Sequence, residues 1–148
     1  MRAVSQSDYR ALAEIRYRIR CFLNFSEASA RAVGLEPQQH QLLLAIRGLS
    51  DGTPATIGRI AERLQIQHHS AVELVNRSTE KGLVKKRASE RDRREVLLDL
   101  TARGRRLLEK LAAAHRTELR SVAPALVGAL SELVAGGPAL SMPDAGLS

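Results

Sequence analysis

Tryptophan is absent from this 148-residue chain, and aromatic side chains amount to two Phe and two Tyr. A surface that stacks the bases of single-stranded RNA or DNA needs exposed rings, so this composition argues against one and leaves the core aliphatic. The single cysteine, Cys21, excludes a disulfide within the chain and fits a reducing cytoplasm. No run approaches the roughly 18 apolar residues of a membrane span. The first eight residues lack the apolar stretch of a signal peptide. The expectation is a cytoplasmic protein with no membrane partner. A phosphate-binding glycine loop, a His-Glu metal motif and a Ser/His/Asp set are all missing. Glu14, Glu27 and Glu62 are scattered and read as solvated or ion-paired positions. An enzyme, a bound metal and a cofactor are therefore not expected.

Positive charge is what the chain has in excess. Lys and Arg number 23 against 16 Asp and Glu, giving a formal net charge of +7. Such a balance suits a polyanionic partner, because each Lys or Arg set against a phosphate releases a counterion. The length fits one domain with a respectable core.

The apolar spacing predicts mostly helix. A first helix, capped by Asp8, runs to about Val33, with Leu12, Ile15, Ile19, Phe22 and Phe25/Ser26 at three- and four-residue steps and Gly34 ending it. At about 25 residues it would be roughly 38 Å long, too long to bury in so small a domain without a partner. A second helix opens at Pro37 and reaches about Leu49, with the run 42–46 apolar nearly all round. Residues 50–54 read as a loop. Thr56 caps a short helix, Ile57 to Leu64, and after a break at 65–67 another runs from about His68 to Lys81 and stops at Gly82. Its inner face is Ala71, Leu74, Val75 and, unexpectedly, Ser78.

Leu83-Val84 begins a strand, 85–94 is almost entirely charged, and Val96, Leu98 and Leu100 alternate with Leu97 and Asp99 as in a half-buried strand. The pair reads as a β-hairpin. Thr101 caps a further helix through about Ser121, Pro124 opens a last one from Ala125 to about Ala135, and residues 136–148 read as a disordered tail. The fold class is mainly α with a small β-hairpin (α+β). A lobe over 36–101 holds the short helices and the hairpin; a helical dimerisation region covers 8–33 and 102–135.

Helix, tight turn, helix, charged hairpin is an order with a use. In a helix-turn-helix the second helix enters the major groove by its first turns. Here those turns are polar: Gln67, His68, His69, Ser70 and Glu73, with Arg77 further along as a brace for the lobe or a phosphate contact. The hairpin adds Lys85, Lys86, Arg87, Arg91, Arg93 and Arg94. An arginine at a hairpin tip can enter a narrow, A·T-rich minor groove, where the negative potential is strongest.

Beside this stand plainer alternatives. The run 85–94 could be only a solvated hairpin. His68 and His69 could be solvated surface; as adjacent helical residues about 100° apart, with no Cys or third His at ligand spacing, they do not make a metal site. Cys21 could be a small buried apolar residue or, with Arg16 and Arg20 nearby, a reactive thiol.

The stretches Pro54-Ala-Thr-Ile-Gly-Arg-Ile-Ala-Glu-Arg-Leu64, Ala71-Val-Glu-Leu-Val-Asn-Arg77, Glu80-Lys-Gly-Leu-Val84 and Asp92-Arg-Arg-Glu-Val-Leu-Leu-Asp-Leu-Thr101, in this order and spacing, closely resemble the MarR family of transcriptional regulators. Gly104-Arg-Arg-Leu-Leu108 and Leu35-Glu-Pro-Gln-Gln-His-Gln-Leu42 fit as well, so that the resemblance spans roughly residues 10 to 134. It implies a winged helix-turn-helix, a homodimer held by the first helix and the last two, and pseudo-palindromic double-stranded DNA as target. It often implies a small phenolic or lipophilic acid as effector. The family's wing pattern Asp-x-Arg falls on Asp92 and Arg94, making Arg94 the minor-groove arginine and Asp92 the acid that braces the wing.

There are departures. Asn76 stands where the family usually has Asp, which weakens an expected charge pair with a nearby arginine. Ser78 replaces a usual Leu, and Gln67-His68-His69 replaces the common Ser-Pro-Ser. The reading is a sequence-specific DNA-binding regulator, with repression the expected mode. Its rivals are a winged-helix module that binds an acidic protein, a DNA-binding protein without effector, and a redox-responsive regulator using Cys21.

Overall fold

A computed structural model describes residues 2–135. The expected disordered tail at 136–148 lies outside them. The elements are α1 (Gln6–Ala32), α2 (Pro37–Arg47), α3 (Ile57–Leu64), α4 (His68–Glu80), β1 (Val84–Ala88), β2 (Val96–Leu100) and α5 (Ala102–Ala135). This is a mainly helical chain with one antiparallel hairpin, as expected.

Local signals set most boundaries. Ser5, rather than Asp8, begins α1. The Ser5 Oγ accepts the Asp8 N–H at 3.2 Å, and the Asp8 carboxylate accepts the Ser5 N–H at 2.8 Å. The two residues make a reciprocal capping box, in which the acid occupies the third helical position, not the cap. Gly34, at φ +81°, ends the helix: its N–H reaches the Arg31 carbonyl and the Leu35 N–H that of Ala30. This paired closure needs a left-handed residue. The same device ends α4 at Gly82. Thr56 caps α3 through its Oγ1, which accepts the Arg59 N–H at 3.1 Å.

Three expectations are corrected. The two C-terminal helices are one helix of 34 residues with Pro124 inside it. A proline removes one helical hydrogen bond but does not oblige the chain to stop. Leu44 is exposed, whereas Gln39 and His40 of α2 are buried, so this helix is apolar on one side only. In β2 both Leu97 and Leu98 are buried and Val96 is exposed. The strand is flanked on one edge by β1, in the register Val84↔Leu100, and on the other by residues 55–56, with the Leu98 N–H donating to the Ala55 carbonyl at 2.9 Å. Consecutive buried residues mean that both faces of the strand are covered here, so simple alternation is lost.

The described residues form two compact units, one from Ser26 to His115 and one from residues 2–25 with 116–135. The apolar core cluster, built on Leu42, Leu43, Ile60, Leu74, Val75, Leu83, Leu98, Leu108 and Leu111, belongs wholly to the first, here called the lobe. Gly104 of α5 lies so close to the strand that a Cβ there would stand 2.2 Å from the Leu83 carbonyl oxygen. Ser78, fully buried, satisfies its hydroxyl by donating to the Leu74 carbonyl at 2.8 Å, which explains how a polar residue stands on an inner face.

Candidate nucleic-acid interface

The turn between α3 and α4 depends on Gln65, whose φ of 54° is left-handed. The Ile66 N–H closes α3 on the Ala61 carbonyl, and the Gln65 amide donates to the Glu62 carbonyl at 2.7 Å. Gln67 is then the N-cap of α4, in extended conformation and without a side-chain cap bond. The first N–H groups of α4 are thus uncapped, at the end where the helix dipole is positive.

Ala71, Leu74, Val75 and Ser78 fasten α4 to the lobe. Its other side is presented to solvent. His69, Glu73 and Asn76 recur at four- and three-residue steps and are exposed, as are Gln67 and His68; Ser70 and Arg77 are half-buried. These side chains offer hydrogen-bond donors and acceptors without an apolar patch, which suits base edges.

The hairpin places Lys85, Lys86, Arg87, Arg91, Arg93 and Arg94 in exposed positions. Two of the six are engaged within the lobe. Lys86 Nζ donates to Asn76 Oδ1 at 2.6 Å, and Arg87 Nε to Asp99 Oδ2 at 2.7 Å. Among the described residues no acid lies within ion-pair distance of Lys85, Arg91, Arg93 or Arg94. The tip is ordered by its own polar groups. Asp92 Oδ1 accepts the Arg94 N–H at 2.9 Å, the Asp92 carbonyl accepts the Glu95 N–H, and the buried Ser89 Oγ accepts the Arg91 N–H at 3.2 Å. Arg94 thus leaves a turn fixed at its backbone, with no acid holding its guanidinium.

Arg77, expected as a brace for the lobe or a phosphate contact, pairs with Glu36, the N-cap of α2, at 3.3 Å. Other residues take up positions that the sequence did not suggest. Asn76 receives the wing lysine, a neutral acceptor in place of an acid. Arg59, from the first turn of α3, joins Arg91, Arg94, Asp92 and Glu95 around a cleft of about 530 Å³. Its guanidinium also donates to the Pro54 carbonyl. A basic residue in the first turn of a capped helix next to the wing was the available signal. Cys21 is half-buried on α1, and the side-chain hydrogen bond with it is the main reason the Tyr17 hydroxyl titrates above its ordinary range. Among the described residues there is no cluster of three metal-ligating side chains, and no helix is long and apolar enough to cross a membrane.

Residues 33–95 match the model of the MarR family. Over this stretch, under half of its length, the chain is similar to the MarR family. Solved structures share the fold over most of the chain. AbsC, a MarR family transcriptional regulator from Streptomyces coelicolor, has a TM-score of 0.71 at 20% identity over 92% of this chain and 93% of its own. A mutant MarR from E. coli, complexed with operator DNA, has a TM-score of 0.64 at 19% identity over 82% and 89%. MarR from Staphylococcus aureus, in complex with salicylate and kanamycin, has a TM-score of 0.60 at 23% identity over 72% and 69%. No curated protein matches the sequence. Proteins of the MarR family are transcriptional regulators, not enzymes. One serine–histidine pair, Ser26 with His115, has hydrogen-bonding distance (2.8 Å), but Ser26 is 3% exposed and closed to a substrate.

Proposed function

We propose that this MarR-type protein is a cytoplasmic transcriptional regulator that binds pseudo-palindromic duplex DNA as a homodimer and represses. One observation carries the reading: the lobe presents two chemically distinct elements, the exposed polar face of α4 and a wing whose Lys85, Arg91, Arg93 and Arg94 have no acidic partner among the described residues. The first can read bases, the second can neutralise phosphates or enter the minor groove. The dimer is supported by apolar side chains left exposed on α1 and α5, among them Leu12, Ile19, Val127 and Leu130. A second copy of the chain would cover them.

Selection of fragments from a random duplex library, followed by salt-dependent binding, tests this. A protein module for acidic partners would show no sequence preference among duplexes. Arg94→Ala should cost roughly 1–3 kcal/mol, more on an A·T-rich flank than on a G·C-rich one. His68→Ala and His69→Ala should alter which operators are preferred, while Lys85→Ala should weaken all alike.

An effector belongs to the same proposal. A recess of about 190 Å³ in the lobe sets Arg63, Gln38 and Gln41 beside Leu64, Ile66 and Leu74, a cation and two amides next to apolar side chains, which suits a small lipophilic acid. The salicylate in the S. aureus MarR structure is of that class. A ligand that binds only the native state raises the melting temperature, and Arg63→Ala should abolish the rise for aromatic acids.

A further inference from the structure

A cluster of polar side chains, none of them in the candidate interface, lies within the lobe, with His40 and Ser26 buried and His115 half-buried. His40 of α2 is 3% exposed, and its Nδ1 is the one buried side-chain nitrogen or oxygen without a hydrogen-bond partner among the described residues. Its ring stands 4.9 Å, centroid to centroid, from that of His115 on α5. His115 is held by two bonds. Its Nδ1 lies 2.7 Å from the Leu111 carbonyl, which can only accept, so this nitrogen carries the hydrogen. In a neutral ring Nε2 is then an acceptor, and Ser26 Oγ of α1 donates to it at 2.8 Å. Ser26 and His115 are the first and last residues of the lobe.

Among the described residues, no acid is paired with His40. From α5 it faces His115, whose far nitrogen is held by the Ser26 hydroxyl of α1. Of the acids on the same helices, Glu36, one turn back on α2, is paired with Arg77, and Glu27 of α1 with Arg31. Burial first, and then the neighbouring His115, hold His40 below the ordinary histidine pKa. The sign follows. The unfolded or opened chain takes a proton near pH 6.5, the closed lobe only at lower pH. The contribution to stability is whole above about 6.5 and falls as pH drops toward the lowered value, by up to about tenfold in the folding constant per pH unit.

We propose that the His40–His115–Ser26 cluster is an acid-sensitive latch, in which a proton on His40 displaces α2 and loosens the helix-turn-helix that α2 supports. The route is short, since α2 packs on α3, α4 and β2. Weakened DNA binding in acid rests on the DNA-binding reading above; the latch itself does not.

The test uses the full chain, without DNA and then with it. Histidine side-chain NMR should show His40 titrating below the free-histidine value. Urea unfolding between pH 7.5 and 5.5 should show the wild-type folding constant falling up to about tenfold per unit more than that of His40→Phe, with His40→Gln as the second variant in case the ring does not fit. An ordinary titration of His40, or equal acid sensitivity in wild type and both variants, overturns the latch. Duplex binding is then compared at both pH values in a His68→Ala/His69→Ala background, which removes the recognition-helix imidazoles from the response. Affinity lost in acid only when His40 is present supports the coupling. Affinity independent of His40 overturns the coupling. A wild-type chain, with His68 and His69 in place, that binds no duplex at any pH overturns the regulatory reading instead, while the unfolding result still decides the latch.

Discussion

The lobe and the unit formed by the outer parts of α1 and α5 use the same aliphatic alphabet to opposite ends. In the lobe, leucine and valine are spent on a closed core, and of the described residues only Leu44 and Val96 are large apolar side chains left exposed there. In the other unit the buried apolar residues are Ala11 and Ala129, while Tyr9, Leu12, Tyr17, Ile19, Leu23, Leu119, Val127, Leu130 and Val134 are exposed. A lobe of this kind stabilises itself. Two helices of 27 and 34 residues with outward apolar faces need a further surface, which is why a second copy is part of the proposal.

Mutations can break this contrast or sharpen it. The largest effect should come from Gly104→Val. Even a Cβ meets the Leu83 carbonyl oxygen at 2.2 Å, so the strand or α5 must move. The expected loss is about 3 kcal/mol or more in urea unfolding, above the usual range for overpacking because backbone cannot yield as a side chain does. A stable Gly104→Val lobe would mean the approach of α5 to β1 is looser than described.

Next comes a paired comparison. Leu74→Ala, deep in the lobe, should cost about 2–5 kcal/mol. Val127→Asp, on the exposed face of α5, should leave the lobe's chemical-shift pattern intact and instead lower the mass measured by light scattering to that of one chain. If Val127→Asp scatters as wild type does, the exposed face is not what joins two copies.

Smaller effects should come from local closures. Thr56→Ala removes the acceptor for the Arg59 N–H and should cost about 1 kcal/mol, as cap deletions do. Arg77→Ala breaks an ion pair whose members are 41% and 50% exposed, and should cost under about 1 kcal/mol. A larger loss on duplex affinity than on stability would show Arg77 reaching DNA rather than only bracing α2.

The subtlest test concerns the start of α1. The Ser5 N–H, then Arg2, lower the Asp8 pKa from 3.8 to about 2. A depressed carboxylate stabilises above the unfolded value, so the first turn of α1 should be whole above about pH 4 and fray as pH falls through about 2. Amide exchange at the first turn reports it, and Asp8→Asn should remove the dependence.

Sequence alone determined the elements that local chemistry specifies. Thr56 as a cap, Gly34 and Gly82 as left-handed stops, the order helix, turn, helix, hairpin, and the basic wing can all be read from neighbours close along the chain. Tertiary structure decided what depends on distant neighbours. Pro124 looks like a helix start, yet the helix continues through it, because one lost bond is outweighed by the turns on either side. Leu97 looks solvent-facing by alternation, yet it is buried beside Leu98. Asn76 looks like a lost charge pair until Lys86, ten residues on, reaches its amide. His40, Ser26 and His115 carry no signal at all in the sequence, since their meeting depends on how α1, α2 and α5 pack. Spacing along the chain governs hydrogen bonds within a turn; only the packed fold brings together side chains separated by 89 residues, as it does Ser26 and His115.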